Sequence, residues 1–319
     1  MGEEGVTLSV IIVSWNTREL LRRCLASLEA GRGDLALEVI VVDNGSHDGT
    51  PEMVRDEFPQ VMLLEPGINL GFAGGNNWGL SQATGQWLLL LNPDTEVIGD
   101  ALSTLVSFLQ MHPSIGAVGP QIFYANSSRQ ITCHRFPSPF TLFFASTPLH
   151  PYIRPALRWY YMEDQPIDQP HPVDWLSGAA LLVRREVYEM VGGFDERFFM
   201  YFEETDWQRR IKAAGWSVWY LPDATIRHHE DASSGQVVAL RHIRFNQSRL
   251  YYTEKWHGTR LAALLRFWLL FLFMVEWLKE AAKWLLGHKR PLRAERIREY
   301  GQLLRSFFHL PHAGSVPNG

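Results

Sequence analysis

The chain has only two cysteines, Cys24 and Cys133, in 319 residues. They lie far apart and form neither a disulfide framework nor a CxxC zinc site, so reduced thiols in a cytoplasmic setting are expected. No GxxxxGK[ST] occurs, and the glycine-rich stretch 69–79 has no two glycines two apart, so it holds no GxGxxG. Those absences speak against a P-loop NTPase and a dinucleotide dehydrogenase. The N-terminal Met1-Gly-Glu-Glu-Gly has no basic n-region or apolar stretch, and Val6 stands where a myristoylation signal needs Ser or Thr. The sequence therefore predicts no secretory signal and no myristoyl anchor. The uncharged tail stretch 267–275 falls well short of the roughly 20 residues needed to span a bilayer. No internal repeat is visible.

What is present is globular: 46% hydrophobic and 20% charged residues, which argues against a disordered chain. The net charge of −4 hides a split. Residues 236–319 hold 14 basic and 5 acidic side chains, a net of +9, against −13 for residues 1–235. A basic tail on an acidic body points to an anionic partner.

From Leu8 to about Leu221, short apolar runs alternate with helical patterns. Leu8–Val13, Glu38–Val42, Val61–Leu64, Trp87–Leu91, Ile115–Val118 and Ser217–Leu221 read as strands. Helices are predicted at Arg18–Glu29, from a cap at Thr50 with Pro51 next, at Gly74–Ala83, from about Asp100 to Met111, and from Glu203 to about Ala214. Near-continuous apolar strands separated by helices predict an α/β fold with a mostly parallel central sheet covered on both faces. Ligands of such folds gather beyond the carboxyl ends of the strands. Residues 137–172 carry eight of the 18 prolines with aromatics interleaved, which favours an ordered cover over a disordered insert.

The strand-end segments are therefore the candidates for chemistry. Trp15, after Ser14 and before Asn16, can stack on a planar base or simply pack at a strand end. Asp43 in Asp43-Asn44-Gly45-Ser46 can accept a nucleobase N–H or form a turn. The loop Asn69–Gly79 lets backbone approach a ligand and precedes a helix N-terminus. Asn92-Pro93-Asp94 offers oxygen ligands at i and i+2 that suit a hard cation such as Mg2+ or Mn2+. Glu203-Glu204-Thr205-Asp206 opens a helix, where acids complement the dipole but can also supply a general base. His228 is a further metal-ligand candidate.

Taken in order, VSWN (13–16), VDNGSHDGT (42–50), NLGFAGGNN (69–77), LLLNPDTEV (89–97), WLSGAALLVRREV (175–187), GGFDERFFMYFEETDW (192–207) and the His228 region resemble the family 2 inverting glycosyltransferases. These have the GT-A fold, and the rhamnosyltransferase-like subgroup is the nearest match. The resemblance covers residues 8–235 and implies a GT-A domain at 1–235 followed by a helical region at 236–319. It implies nucleotide-sugar contacts from Ser14, Trp15, Asn16, Asp43, Asn44, Asn69, Gly71, Ala73, Asn76, Asn77 and Asn92, with Asp43 on the uracil or thymine ring. Asp94 matches the metal ligand of the family's DxD motif, whose first Asp is Asn92 here, and His228 matches its late metal or diphosphate ligand. Trp175, Ser177 and Gly178 match the acceptor and sugar region. Glu204 takes the place of the catalytic base, beside Glu203, with Asp206 as the rival. After the late His, Glu230-Asp231 stands where Gly-Gly is common. The implied reaction is transfer of a sugar from a dTDP- or UDP-linked donor to a glycan or lipid-linked acceptor in cell-envelope synthesis, with a divalent cation. A catalytically silent nucleotide-sugar or glycan-binding protein on the same fold is the alternative.

In the tail, residues 261–286 form a helical pattern with Glu276, Lys279, Glu280 and Lys283 on one face. Trp268, Trp277 and Trp284 supply interface-seeking rings, and the cluster His288, Lys289, Arg290, Arg293, Arg296 and Arg298 suits anionic headgroups. This predicts a membrane-associating helix, peripheral on the inner face of the cell membrane. Packing on the catalytic domain or in a homodimer carries nearly equal weight. Nucleic acid is not expected, because no recognised binding fold accompanies the charge.

Overall fold

The computed structural model describes residues 8–229 and 238–308. They form two compact units, the first of residues 8–136, 161–199 and 203–229, the second of residues 137–160, 200–202 and 238–308.

The first unit begins as the apolar runs dictate: β1 (Leu8–Ser14), α1 (Arg18–Gly31), β2 (Leu37–Asp43), α2 (Thr50–Glu57), β3 (Met62–Leu64), α3 (Gly71–Gln82) and β4 (Trp87–Leu91). There follow β5 (Thr95–Ile98), α4 (Ala101–Met111), β6 (Ile115–Tyr124) and β7 (Cys133–His134). After the second unit's α5 (Pro139–Phe144) and α6 (His150–Ile153) come β8 (His171–Val173), β9 (Trp175–Leu176), β10 (Ala180–Arg184), α7 (Arg185–Val191), α8 (Glu203–Ala213) and β11 (Ser217–His228).

Nine strands form one sheet in the order β3-β2-β1-β4-β10-β6-β11-β5, with β8 also on β11. The half β3-β2-β1-β4 is parallel, as expected from its runs. The other half is mixed, because β10 lies antiparallel between β4 and β6, and β5 and β8 pair antiparallel with β11. Antiparallel β10 restores the direction of the following strand, so β6 and β11 run the same way as β1, β2 and β4.

Alternation along the strands makes two cores. Val10, Ile12, Leu89 and Leu91 pack on one face with Leu21, Leu25 and Leu28 of α1 and Leu102 and Leu105 of α4. Ile11, Leu88 and Leu90 pack on the other with Leu80 of α3, Val187 of α7 and Trp207 and Ile211 of α8. Helices therefore cover both faces.

Several boundaries differ from the sequence reading, and β6 runs on to Tyr124 rather than ending at Val118. Helix α2 takes in Thr50 itself, with Gly49 as its cap in the left-handed region. Helix α3 starts at Gly71, three residues before the predicted Gly74. Gly71 has φ +75°, its N–H donates to Asn69 Oδ1 (2.9 Å), and Phe72 N–H donates to Phe199 O (2.8 Å). Strand β11 runs on to His228 rather than ending near Leu221, because β5, which the sequence reading left out, supplies a ladder partner.

The second unit contains α9 (Val238–His257), α10 (Thr259–Leu285) and α11 (Arg290–Ser306). Residues 137–160 of the proline-rich segment are ordered here: Ser138 caps α5 by accepting from Thr141 N–H, and Trp268 Nε1 donates to Phe143 O. Arg249, buried, donates from Nη2 to Thr141 O and Ala145 O at the C-terminal end of α5, where cationic donors are favoured. Helix α10 is 27 residues, and by length and composition it is long and apolar enough to cross a membrane. Counting only the uncharged stretch 267–275 missed this, because scattered charges do not shorten an apolar helix. Glu280, which its spacing groups with Glu276, Lys279 and Lys283, is set apart from them by the structure. It is buried with Arg293 Nη1 at 2.6 Å, so Arg293 is held inside the unit.

Gly71 gives a direct test of how α3 is seated. A Cβ there would lie 2.4 Å from Phe199 O, whereas Gly67 has the same φ of +75° but open space around it. Gly71→Ala is expected to cost at least about 2 kcal/mol and Gly67→Ala about 1 kcal/mol in chemical denaturation. Equal losses would show that the Phe199 contact does not matter.

Candidate active site

The common direction of β1, β2, β4, β6 and β11 brings Ser14, Asp43, Asn92, Tyr124 and His228 to one edge of the sheet. Antiparallel β10 starts at that edge, so Ser177-Gly178 lies there too, and Asn92 N–H donates to Ala179 O (2.9 Å).

At the β1–β2 end, two turns are stitched together. Asn16, at φ +51°, donates from its N–H to Ser46 Oγ and accepts from His47 N–H, both at 2.8 Å, and Arg18 N–H donates to Asp48 Oδ2 (2.9 Å). Trp15 is left half-buried between these bonds. Asp43 is 3% exposed; its Oδ2 accepts from Ser46 N–H (2.9 Å), while Oδ1 is buried with no partner. An oriented carboxylate oxygen without a donor is a receptor for an incoming N–H. Ser14 is consumed locally, its hydroxyl 2.8 Å from Thr17 Oγ1.

The asparagines of the glycine-rich loop are held by backbone. Asn44 Nδ2 donates to Gly71 O, Asn76 Nδ2 to Phe72 O and Asn77 Nδ2 to Phe194 O, each at 2.9 Å. Asn77 Oδ1 also accepts from Phe194 N–H (2.7 Å). Ala73 is fully buried in the second core cluster. These side chains fix the loop against the sheet and the 192–199 segment; what the loop offers a ligand is its backbone and the rim around Gly71.

The acid–histidine pair is built by strand register. β5 pairs with β11 so that Thr95 faces His228, which sets Asp94 Oδ1 3.1 Å from His228 Nε2. His228 Nδ1 lies 3.0 Å from Gln130 Oε1. With the proton on Nδ1, donated to that oxygen, Nε2 presents its lone pair to the Asp94 side. Asn92 Nδ2 lies 3.5 Å from Nε2, and Asn92 Oδ1 is buried without a partner. A carboxylate, an imidazole lone pair and an orphaned amide oxygen fit a divalent cation that draws its remaining ligands from a diphosphate. Among the described residues no three His, Cys, Asp or Glu cluster for a metal, so such a site depends on the amide and on the ligand. Glu230 and Asp231 lie outside the described residues. Beneath the pair, Cys24 is buried with Sγ 3.7 Å from Asn92 O and from Thr95 Oγ1; burial pushes its thiol up to about 12, consistent with a reduced structural cysteine.

Gln208 pins the head of α8 to β9: its Oε1 accepts from Leu176 N–H and its Nε2 donates to Leu176 O, both at 2.8 Å. This sets Glu204 beside Gly178, where a Cβ would meet Glu204 Cβ at 3.7 Å and Phe72 at 3.6 Å. Glu203 Oε2 and Glu204 Oε2 are both shut from solvent with no hydrogen-bond partner, and so is Ser177 Oγ. Burial pushes Glu204 up to about 7 and, with the neighbouring carboxylate, lifts Glu203 well above the usual carboxylate range. Asp206 is fully buried and engaged with Arg210 Nε at 3.0 Å, and Arg210 also donates to Val191 O and Gly193 O. The two residues before α8, Tyr201 and Phe202, hold φ of +70° and +67°, a costly conformation for aromatic residues that marks constrained backbone at this point.

Trp175 stacks on His134 (centroids 4.2 Å, 15°) and donates from Nε1 to Arg135 O, so one ring face and its polar tip are already used. Gln130, Gln208 and Phe199 escaped the sequence reading. Gln130 sits in no motif and arrives by the turn after β6, where its N–H donates to Ile122 O (3.0 Å). Gln208, at i+4 from Glu204 on the helix already predicted, was the one with a readable signal.

This geometry belongs to a recognisable class. Residues 9–192 match the sequence profile of Glycosyl transferase family 2, and the chain belongs to that family. It is 32% identical over 275 residues to the "N-acetylglucosaminyl-diphospho-decaprenol L-rhamnosyltransferase" of Mycobacterium tuberculosis, an alignment spanning 81% of this chain and 88% of that protein. Two solved structures share the GT-A fold. GalNAc-T7 with UDP, GalNAc and Mn2+ superposes at TM-score 0.58 with 18% identity, over 80% of this chain and 48% of its own. The mannosyltransferase of Pyrobaculum calidifontis with GDP-Man and Mn2+ superposes at 0.53, also with 18% identity, over 96% and 86%.

The buried acids have a measurable consequence for stability. Glu204 binds its proton more tightly folded than unfolded, so its contribution is fully present below the unfolded carboxylate range and is lost as pH rises through about 7. Glu204→Gln is therefore expected to lose less stability than wild type between pH 4.5 and 8 in urea denaturation. Parallel pH profiles for the two proteins would mean that Glu204 is not buried as described.

Proposed function

We propose that the chain is an inverting glycosyltransferase that moves rhamnose from a dTDP-linked donor to a hydroxyl of a lipid-linked acceptor in cell-envelope synthesis, working at the inner face of the cell membrane. The observation that carries the chemistry is the partnerless Glu204 Oε2 beside Gly178. The named activity of the mycobacterial relative supports the rhamnose donor and the diphospholipid acceptor. A UDP-linked donor meets the same Asp43 contact, because uracil and thymine share the N3–H.

In this reading Asp43 Oδ1 accepts the pyrimidine N3–H and Trp15 flanks the ring. Asp94, His228 and Asn92 Oδ1 would hold Mn2+ or Mg2+, which when bound supplies positive charge for the departing diphosphate. Glu204 takes the proton of the acceptor hydroxyl while that oxygen bonds to the anomeric carbon. The bond from that carbon to the diphosphate breaks, and its electron pair leaves with the nucleoside diphosphate. One displacement through an oxocarbenium-like transition state inverts the anomeric centre. A pKa raised to about 7 by burial on Glu204 suits a base at neutral pH, and the Glu203 carboxyl beside it is likewise raised by burial and by its neighbour. Asp206 serves the fold through Arg210 and is the weaker candidate base.

Glu204→Gln should lower transfer by about 10²–10⁴-fold while leaving donor affinity intact. Transfer at the wild-type rate would remove Glu204 from the mechanism. If no donor is consumed by wild type although dTDP or UDP still raises its melting temperature, the chain is a nucleotide-sugar-binding protein and not an enzyme.

Cation binding has its own test. Mn2+ together with dTDP should raise the wild-type melting temperature more than dTDP alone, and Asp94→Asn should lose most of that increment. An undiminished increment in the variant would place the cation elsewhere.

A further inference from the structure

One face of α10 is unlike any other surface of the described residues. Leu264, Phe267, Phe271, Met274, Leu278 and Leu285 are each 45–70% exposed. Their 3-4-3-4 spacing, with the last a heptad on, lines them along one side of the helix. The opposite side buries Leu265, Leu269, Leu272 and Phe273 within the unit, where α10 packs against α9 and α11. Over the roughly four turns from Leu264 to Leu278 the stripe carries no charge. Cations stand at both ends: exposed Arg260 at one, and exposed Lys283, Lys289 and Arg290 at the other. Exposed Trp284 lies at the second end with the Arg290 guanidinium 5.6 Å from its ring centroid.

We propose that this stripe is the face on which the chain lies in the headgroup layer of an anionic lipid bilayer, with α10 parallel to the membrane plane. The proposal rests on the reading that the enzyme works at a membrane, and it names the surface and the orientation. A second copy of the chain is the poorer occupant. In either parallel or antiparallel pairing along the stripe, cationic ends meet cationic ends, whereas an anionic surface is complementary to both. A membrane-spanning α10 is the poorer orientation, although its length of about 40 Å permits it. Spanning would either strip α9 and α11 from its buried side or draw the Glu280–Arg293 ion pair and the charged surface of α11 into hydrocarbon. Lying in the plane leaves that packing untouched. Trp268, whose Nε1 is held by Phe143 O, and half-buried Trp277 do not belong to the docking face, so Trp284 is the interfacial ring.

The test is flotation of the full chain with phosphatidylcholine vesicles containing or lacking phosphatidylglycerol. Wild type should float with the anionic vesicles and be released by high salt or alkaline carbonate. The double variant Phe267→Glu, Phe271→Glu should bind at least about tenfold less, since each exposed ring contributes about a decade of partitioning. Both positions are solvent-exposed, so the variant should keep the wild-type melting temperature. Donor hydrolysis is measured on the same samples. Hydrolysis without flotation would overturn the docking face alone, and flotation without hydrolysis would overturn the enzymatic reading alone. Retention through alkaline carbonate would overturn the in-plane orientation. So would a wild-type dimer in light scattering that the double variant dissociates, because the stripe would then belong to a second copy.

Discussion

The chemistry of the first unit depends on one constraint: five strands must point the same way so that their carboxyl ends share an edge. β1, β2 and β4 achieve this directly, while β6 and β11 do so because β10 reverses between them. Each strand then delivers a polar group to a place where hydrophobic packing stops. The cost is visible in the orphaned oxygens of Asp43, Asn92, Glu203 and Glu204. A buried polar atom without a partner costs about 1–3 kcal/mol, so each of these oxygens is held at the expense of stability.

The scaffold is organised to hold those atoms still. Asn44, Asn76 and Asn77 spend their amides on backbone, Gln208 fastens α8 to β9, and Arg210 ties Asp206 to the 191–193 loop. Of the loop residues that a family resemblance places around the donor, the asparagines thus contribute rigidity rather than a free hydrogen bond. These bonds fix the geometry of the candidate site through residues that lie behind it.

The parallel half of the fold was legible because LSVIIV, LEVIVV and WLLLL are too apolar to be anything but buried strands. The extension of β11 was not legible locally. β5 is four residues with a charged member, and its ladder partner lies more than a hundred residues away, so nothing local announces it. His228 was therefore placed after a strand instead of at its end. Glu204 and Asp94 were readable as motif positions, but their surroundings were not: Gln130 and the Phe199 carbonyl reach the site by tertiary folding alone. In the tail, periodicity put Glu280 on the charged face of α10, and only the docking of α11 shows that Glu280 itself is internal.

The long pairing of β11 with β6 is interrupted at Leu221, after which Thr225 resumes the ladder against the very next partner residue. The extra residues Pro222, Asp223 and Ala224 form a bulge within the strand. Downstream, His228 meets Asp94 while its neighbour His229 meets Glu96, so each imidazole has its own acid and a shift by one would break both pairings. Of the three bulge residues, Pro222 and Asp223 reach the surface while Ala224 is fully buried in the first core, so the bulge is itself anchored. Between 225 and 228 the register is set on both sides: losing one residue there would bring His229 to Asp94, and gaining one would carry His228 out to the position of His229.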